Sequence, residues 1–244
     1  MSAPAIFYTP RGELAAGPVP RVVGTISSDF DPQPSEVHSD IVELRIDLIG
    51  DDTWLARAAK LRSAGIPVIG TIRISSEGGK WTGTEEQRLW AYRNVLPHVS
   101  AIDVELRADI ARALAQEARG LGKVCIVSFH DFQKTPRASE LEWTVRQAER
   151  FASIVKITTM VNSPEDVSAL ENLLTKHWDV PICVMGMGLA GSETRVNFPQ
   201  KGSCLTYGWL DSANAPGQTS AADLANELTA RMRVYAAGRR SKTV

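Results

Sequence analysis

Residues 123–132, KVCIVSFHDF, and residues 153–160, SIVKITTM, are two apolar runs rich in β-branched side chains, separated by one amphipathic helical segment. Runs of this length and composition read as buried strands, and a helix between them is the connection that parallel neighbours need. Each run carries one reactive side chain, His130 in the first and Lys156 in the second. A lysine inside Ile154-Val155-Lys156-Ile157 is predicted to be buried, where desolvation disfavours the charged form and turns an amine into a nucleophile toward carbonyl groups. Successive parallel strands end side by side, so His130 can serve as general base and acid beside it. The bland alternatives are a strand-edge lysine paired with a carboxylate and a hydrogen-bonded structural histidine.

The same rhythm extends in both directions. Strand-like runs fall at 21–27, 41–48, 67–75, 101–107, 123–132, 154–160, 181–188 and 203–210, with helical patterns at 53–64, 84–95, 109–120, 139–151, 163–178 and 220–237. Thr84 ahead of Glu85, Glu86 and Gln87, and Ser163 ahead of Pro164, Glu165 and Asp166, are helix start signals. The connections at 29–40 and 189–202 have weak helical character. Strand alternating with helix eight times predicts an α/β fold, a single (β/α)8 TIM barrel over residues 21–240, with a doubly wound open sheet as the alternative. Residues 1–20 hold Pro4, Pro10, Gly12, Gly17, Pro18 and Pro20, and read as an irregular lead-in with a short extended piece at 6–8.

Composition excludes several classes. Lys plus Arg number 27 against 28 Asp plus Glu, which leaves no electrostatic footprint for nucleic acid or an anionic membrane. Cys125, Cys183 and Cys204 sit in apolar runs and read as buried thiols; their scatter provides no metal-ligand spacing. No run approaches the roughly eighteen apolar residues of a membrane span, and the N-terminus lacks a signal-peptide pattern, so the expected location is cytoplasmic.

In a barrel, function belongs to the C-terminal ends of strands and the loops after them. Glu43 and Arg45 are two apart and share a face, either pairing as structure or forming a polar ligand site. Arg73 ends the third run and can join the same cavity, while Glu77, ahead of Gly78-Gly79, could orient an imidazole. Asp103, Glu105 and Arg107 repeat the two-residue spacing and read as structural. Arg195 offers a fork suited to a carboxylate, and Gln218, in Asn214-Ala215-Pro216-Gly217-Gln218, a neutral amide on a lid or turn. Gly186-Met187-Gly188-Leu189-Ala190-Gly191 fits a dinucleotide-binding pattern, but it comes late in the chain with little room for the helix that pattern requires. Close backbone approach beside a site explains these glycines better.

Taken together, these motifs resemble the type I 3-dehydroquinate dehydratases, the Schiff-base dehydratases of the shikimate pathway. The resemblance covers roughly residues 21–235 and rests on Glu43-Leu44-Arg45-Ile46-Asp47, Thr71-Ile72-Arg73 with Glu77-Gly78-Gly79, Ser128-Phe129-His130-Asp131-Phe132, Val155-Lys156-Ile157, Met185-Gly186-Met187-Gly188 through Arg195, and Ala215-Pro216-Gly217-Gln218. It implies a (β/α)8 barrel with no metal or organic cofactor, often a homodimer, acting in aromatic amino acid biosynthesis or in a degradative route. It implies that Lys156 attacks the ketone of 3-dehydroquinate, that His130 moves the protons and that Glu77 holds His130. Glu43, Arg45 and Arg73 would hold the substrate hydroxyls, Arg195 and Gln218 its carboxylate, and Met187 would pack on the ring. Asn214 stands where the family commonly has a serine touching the carboxylate, and Thr194 where serine is usual. A class I aldolase would use the same lysine logic, and a non-catalytic binding relative would use the same pocket.

Overall fold

The computed structural model describes residues 2–213 and 218–240. Two antiparallel strands, β1 (Ala5–Thr9) and β2 (Gly12–Ala16), precede a sheet of eight parallel strands. These are β3 (Arg21–Ile26), β4 (Ile41–Arg45), β5 (Val68–Thr71), β6 (Ala101–Glu105), β7 (Val124–Asp131), β8 (Ile154–Met160), β9 (Ile182–Met187) and β10 (Leu205–Trp209). Each is hydrogen-bonded to the next from β3 to β9, and β10 returns to pair with β3. With helices between the strands this is a (β/α)8 barrel. Among the described residues no helix is long and apolar enough to cross a membrane.

The reading of residues 1–20 as an irregular lead-in is corrected: most of that stretch is the β1–β2 hairpin. It closes the N-terminal mouth of the barrel, where Phe7, Leu14 and Ala16 pack on Ile41, Ala101, Val124 and Ile154 at the starts of their strands. Ser100 Oγ ties it down by donating to the Tyr8 carbonyl at 2.7 Å. The eightfold strand and helix alternation is also reduced. The connection after β3 holds only a single 3-10 turn, Pro34–Glu36, and that after β9 holds two such turns and the four-residue helix Thr194–Asn197.

The seam between β9 and β10 is closed mainly by other means than strand pairing. At its lower end the Cys204 amide donates to Ile182 O at 2.8 Å, and Ser203 Oγ accepts from the Val184 amide at 3.0 Å. Higher up, the segment after β9 inserts into the gap. Thr194 Oγ1 accepts from the Gly186 amide at 2.8 Å, Thr206 Oγ1 donates to Arg195 O at 2.7 Å, and Arg195 Nη1 donates to Tyr207 O at 2.8 Å. A Cβ on Gly191 would lie 2.7 Å from the Gly186 carbonyl carbon, so this insertion requires glycine there, which accounts for the last glycine of the dinucleotide-like pattern. The insertion places Arg195 in the barrel wall.

Candidate active site

Inward-facing residues alternate along each strand, and neighbouring strands supply them to a shared interior. β4, β6, β8 and β10 contribute Glu43, Asp103, Lys156 and Tyr207, all buried. Above them, at the C-terminal mouth, stand Arg45, Arg73 and His130. Lys156, His130, Glu77, Glu43, Arg45, Arg73, Met187, Arg195 and Gln218 all line one cavity of about 180 Å³. Asn214 lies outside the described residues.

Glu77 reaches His130 because the chain turns sharply after β5. Ile74 bridges to Trp81, one 3-10 turn covers Ser75–Glu77, and Gly78 takes a left-handed φ of 80°. The next residue must also be glycine, since a Cβ on Gly79 would collide with the Arg73 carbonyl. Glu77 Oε2 accepts from the His130 amide at 3.0 Å and lies 2.9 Å from His130 Nδ1. With Nδ1–H donated to the carboxylate, Nε2 is left as the base.

Lys156 is paired, which burial alone does not foretell. Its Nζ donates to Asp103 Oδ2 at 2.9 Å, while Asp103 Oδ1 accepts from Arg73 Nη2 at 2.8 Å and from Ser128 Oγ at 2.7 Å. Arg73 also lies 3.3 Å from Glu105, whose other oxygen accepts from the buried Arg88 at 2.6 Å. Asp103 is therefore part of the site as well as of its scaffold, and the purely structural reading of this strand missed it. The available signal was parity: Asp103 and Glu105 face inward as Glu43 and Arg45 do. Replacing Asp103 by asparagine leaves two buried cations short of an anion. The expected cost is on the order of 3 kcal/mol, read from the urea unfolding midpoint.

The remaining residues ring the cavity. Glu43 accepts from Thr25 Oγ1 at 3.0 Å and Thr71 Oγ1 at 2.8 Å, and does not pair with Arg45. Arg45 instead makes a two-point contact with Asp47 at 2.9 and 2.8 Å. Met187 ends β9, and the Gln218 carbonyl accepts from Trp209 Nε1 at 3.3 Å. Sequence reasoning also overlooked Tyr207, whose ring face meets Lys156 Nζ at 4.0 Å from the centroid.

Electrostatics separate the two members of the His130–Glu77 pair. Burial, reinforced by the positive charges of Arg73 and Lys156, pushes the imidazole well below its ordinary value, so near neutrality it is unprotonated and free to accept a proton. Burial raises the Glu77 carboxyl to about 7, with Arg73 offsetting only part of the effect. Below that pH Glu77 holds a proton and no longer accepts as a carboxylate from Nδ1–H; above it the carboxylate fixes the tautomer. kcat/KM is therefore expected to rise through about pH 7. In Glu77→Gln, which cannot ionise, a pH–rate profile should lack that limb.

Four buried polar atoms on residues lining this cavity have no hydrogen-bond partner among the described residues: Glu77 Oε1, Thr158 Oγ1, Arg195 Nε and the Tyr207 hydroxyl. Buried polar groups are seldom left unpaired, because each costs about 1–3 kcal/mol. Their convergence among four cationic side chains, Arg45, Arg73, Lys156 and Arg195, suits a small, anionic, polyhydroxylated ligand.

The chain is similar to known proteins over most of its length. The family model described as Type I 3-dehydroquinase matches residues 31–233. The 3-dehydroquinate dehydratase of Methanocella arvoryzae is 34% identical over 200 residues, covering 82% of this chain and 91% of the relative. Among solved structures, the 3-dehydroquinate dehydratase of Geobacillus kaustophilus is similar with a TM-score of 0.79 at 27% identity, over 88% of this chain and 93% of that one. The type I 3-dehydroquinate dehydratase of Clostridium difficile, solved with covalent modified comenic acid, also has a TM-score of 0.79, at 26% identity over 94% of this chain and 98% of that one.

Proposed function

Because the chain belongs to the type I 3-dehydroquinase family, we propose that it dehydrates 3-dehydroquinate to 3-dehydroshikimate through an imine on Lys156, with His130 moving the protons. The observation that carries the reading is a buried lysine and a neutral, carboxylate-oriented histidine on adjacent strands, lining one polar cavity. Lysine and ketone condense with loss of water, giving a protonated imine. That cation draws electrons from the neighbouring carbon, so its proton passes to His130 Nε2 and an enamine forms. The enamine electrons then expel the β-hydroxyl, which takes the proton back from His130 and leaves as water. Hydrolysis of the resulting imine frees the product and restores Lys156.

Membership of the family supports one placement of the substrate within the cavity. Arg195 has a buried Nε to spend and, with Gln218, faces the carboxylate; Glu43, Arg45 and Arg73 take the hydroxyls; Met187 packs on the ring. Glu77 acts through His130 by holding its tautomer.

The test is intact mass and peptide mapping after incubation with 3-dehydroquinate and borohydride, which reduces an imine to a stable amine. The expected product is an adduct on the Lys156 peptide with the mass of dehydrated, reduced ligand. Folded protein that binds the ligand but forms no adduct would reject the covalent mechanism.

A further inference from the structure

Tyr207 projects from β10 into the cavity, is 5% exposed, and sets its ring face 4.0 Å from Lys156 Nζ, measured to the centroid. Its hydroxyl has no hydrogen-bond partner among the described residues, and the ring shares one buried apolar cluster with Cys183, Met185 and Leu205. A leucine could join that cluster as well. What an aromatic ring adds is a negative face, and a cation close to that face is held electrostatically, more strongly when water is excluded.

We propose that Tyr207 is a positioning residue whose π face holds the positive charge on the Lys156 nitrogen, as ammonium before condensation and as protonated imine after it. The proposal rests on the imine reading above. Condensation of the ammonium with a ketone forms two bonds from nitrogen to carbon and releases the carbonyl oxygen as water, with two of the three nitrogen protons. One proton and the full charge stay on nitrogen. The nitrogen is neutral in the free amine that attacks, in the carbinolamine that loses water, and in the enamine formed once the adjacent carbon loses its proton. A ring face has no site to take a proton, so it favours the iminium over these neutral forms. Asp103, a carboxylate on the same nitrogen, supplies attraction too, but it can also accept a proton.

The test varies ring electronics at nearly constant size. The rate at which an amine-specific reagent modifies Lys156 in the substrate-free protein is followed against pH for the unaltered chain, Tyr207→Phe, the same variant carrying mono-, di- and trifluorinated phenylalanine, and Tyr207→Leu, with thermal unfolding and borohydride trapping with 3-dehydroquinate recorded for each. Because the ring holds the nitrogen only while it is charged, the acid dissociation constant of the Lys156 ammonium is expected to rise stepwise with each fluorine, that of Tyr207→Leu lying about five- to thirty-fold above that of Tyr207→Phe. Equal dissociation constants across the fluorinated series and Tyr207→Leu overturn the proposal, as does a shift that tracks the unfolding temperature instead of fluorine number. Absence of any adduct in the unaltered chain overturns the imine reading itself, a result the series cannot mimic.

Discussion

Lys156→Ala is expected to lower the turnover of 3-dehydroquinate by at least about a thousand-fold and to abolish borohydride-dependent labelling. The size follows from what the side chain does. Without an imine, the carbon beside the ketone must be deprotonated by a weak base with no cationic electron sink, and positioning alone cannot supply the difference. The fold should survive. Asp103 keeps Arg73 at 2.8 Å and Ser128 at 2.7 Å when the lysine is gone, so its charge is not stranded. Steady-state kinetics and a urea melt on the same preparation separate the two effects. Near-normal turnover in a folded variant would remove Lys156 from the chemistry.

Much of the fold was legible because hydrophobic periodicity changes sharply between strands and helices, and the eight barrel runs each coincide with an observed strand. The ends were less legible. Residues 41–48 alternate up to Leu48, yet the strand stops at Arg45 and a helical turn, Ile46–Ile49, ends at Gly50 with a φ of 75°. Alternation cannot see that change, since Ile46 and Ile49 are buried partly by either shape. The helix read over 220–237 is interrupted at Met232, whose φ of −127° is extended. No glycine or proline announces the break, and beyond it the Tyr235 hydroxyl donates to buried Asp40 at 2.8 Å. The hairpin at the barrel's base has the weakest local signal, because Gly12–Ala16 contains no β-branched residue and owes its strand state to the mouth it covers.

Legibility of the site divides along the same line. Lys156 and His130 announce themselves as polar residues inside apolar strands, and Glu77 by its place ahead of two glycines. Asp103 and Tyr207 do not, because their importance lies in which strands are opposite or adjacent once the barrel closes. Spacing within one strand shows the face a residue shares, whereas a contact between β6 or β10 and β8 exists only in the closed barrel.

His130→Ala should produce a different failure from Lys156→Ala, and the difference is the sharper test of the mechanism. General acid and base catalysis by a positioned side chain is worth about a hundred- to ten-thousand-fold, and the loss in kcat is expected within that range. Imine formation should continue, slowed, because Lys156 keeps Asp103 at 2.9 Å and the ring of Tyr207. Borohydride trapping of His130→Ala should therefore capture adduct with the mass of reduced, undehydrated ligand, where the unaltered chain yields the dehydrated one. Glu77, left without its imidazole, already has an unpartnered oxygen and a carboxyl raised to about 7, so it takes up a proton more readily still instead of remaining as a stranded charge. If the variant accumulated dehydrated adduct at an unaltered rate, the proton would have to leave by another group, and the assignment of His130 as the base would fall while that of Lys156 stood.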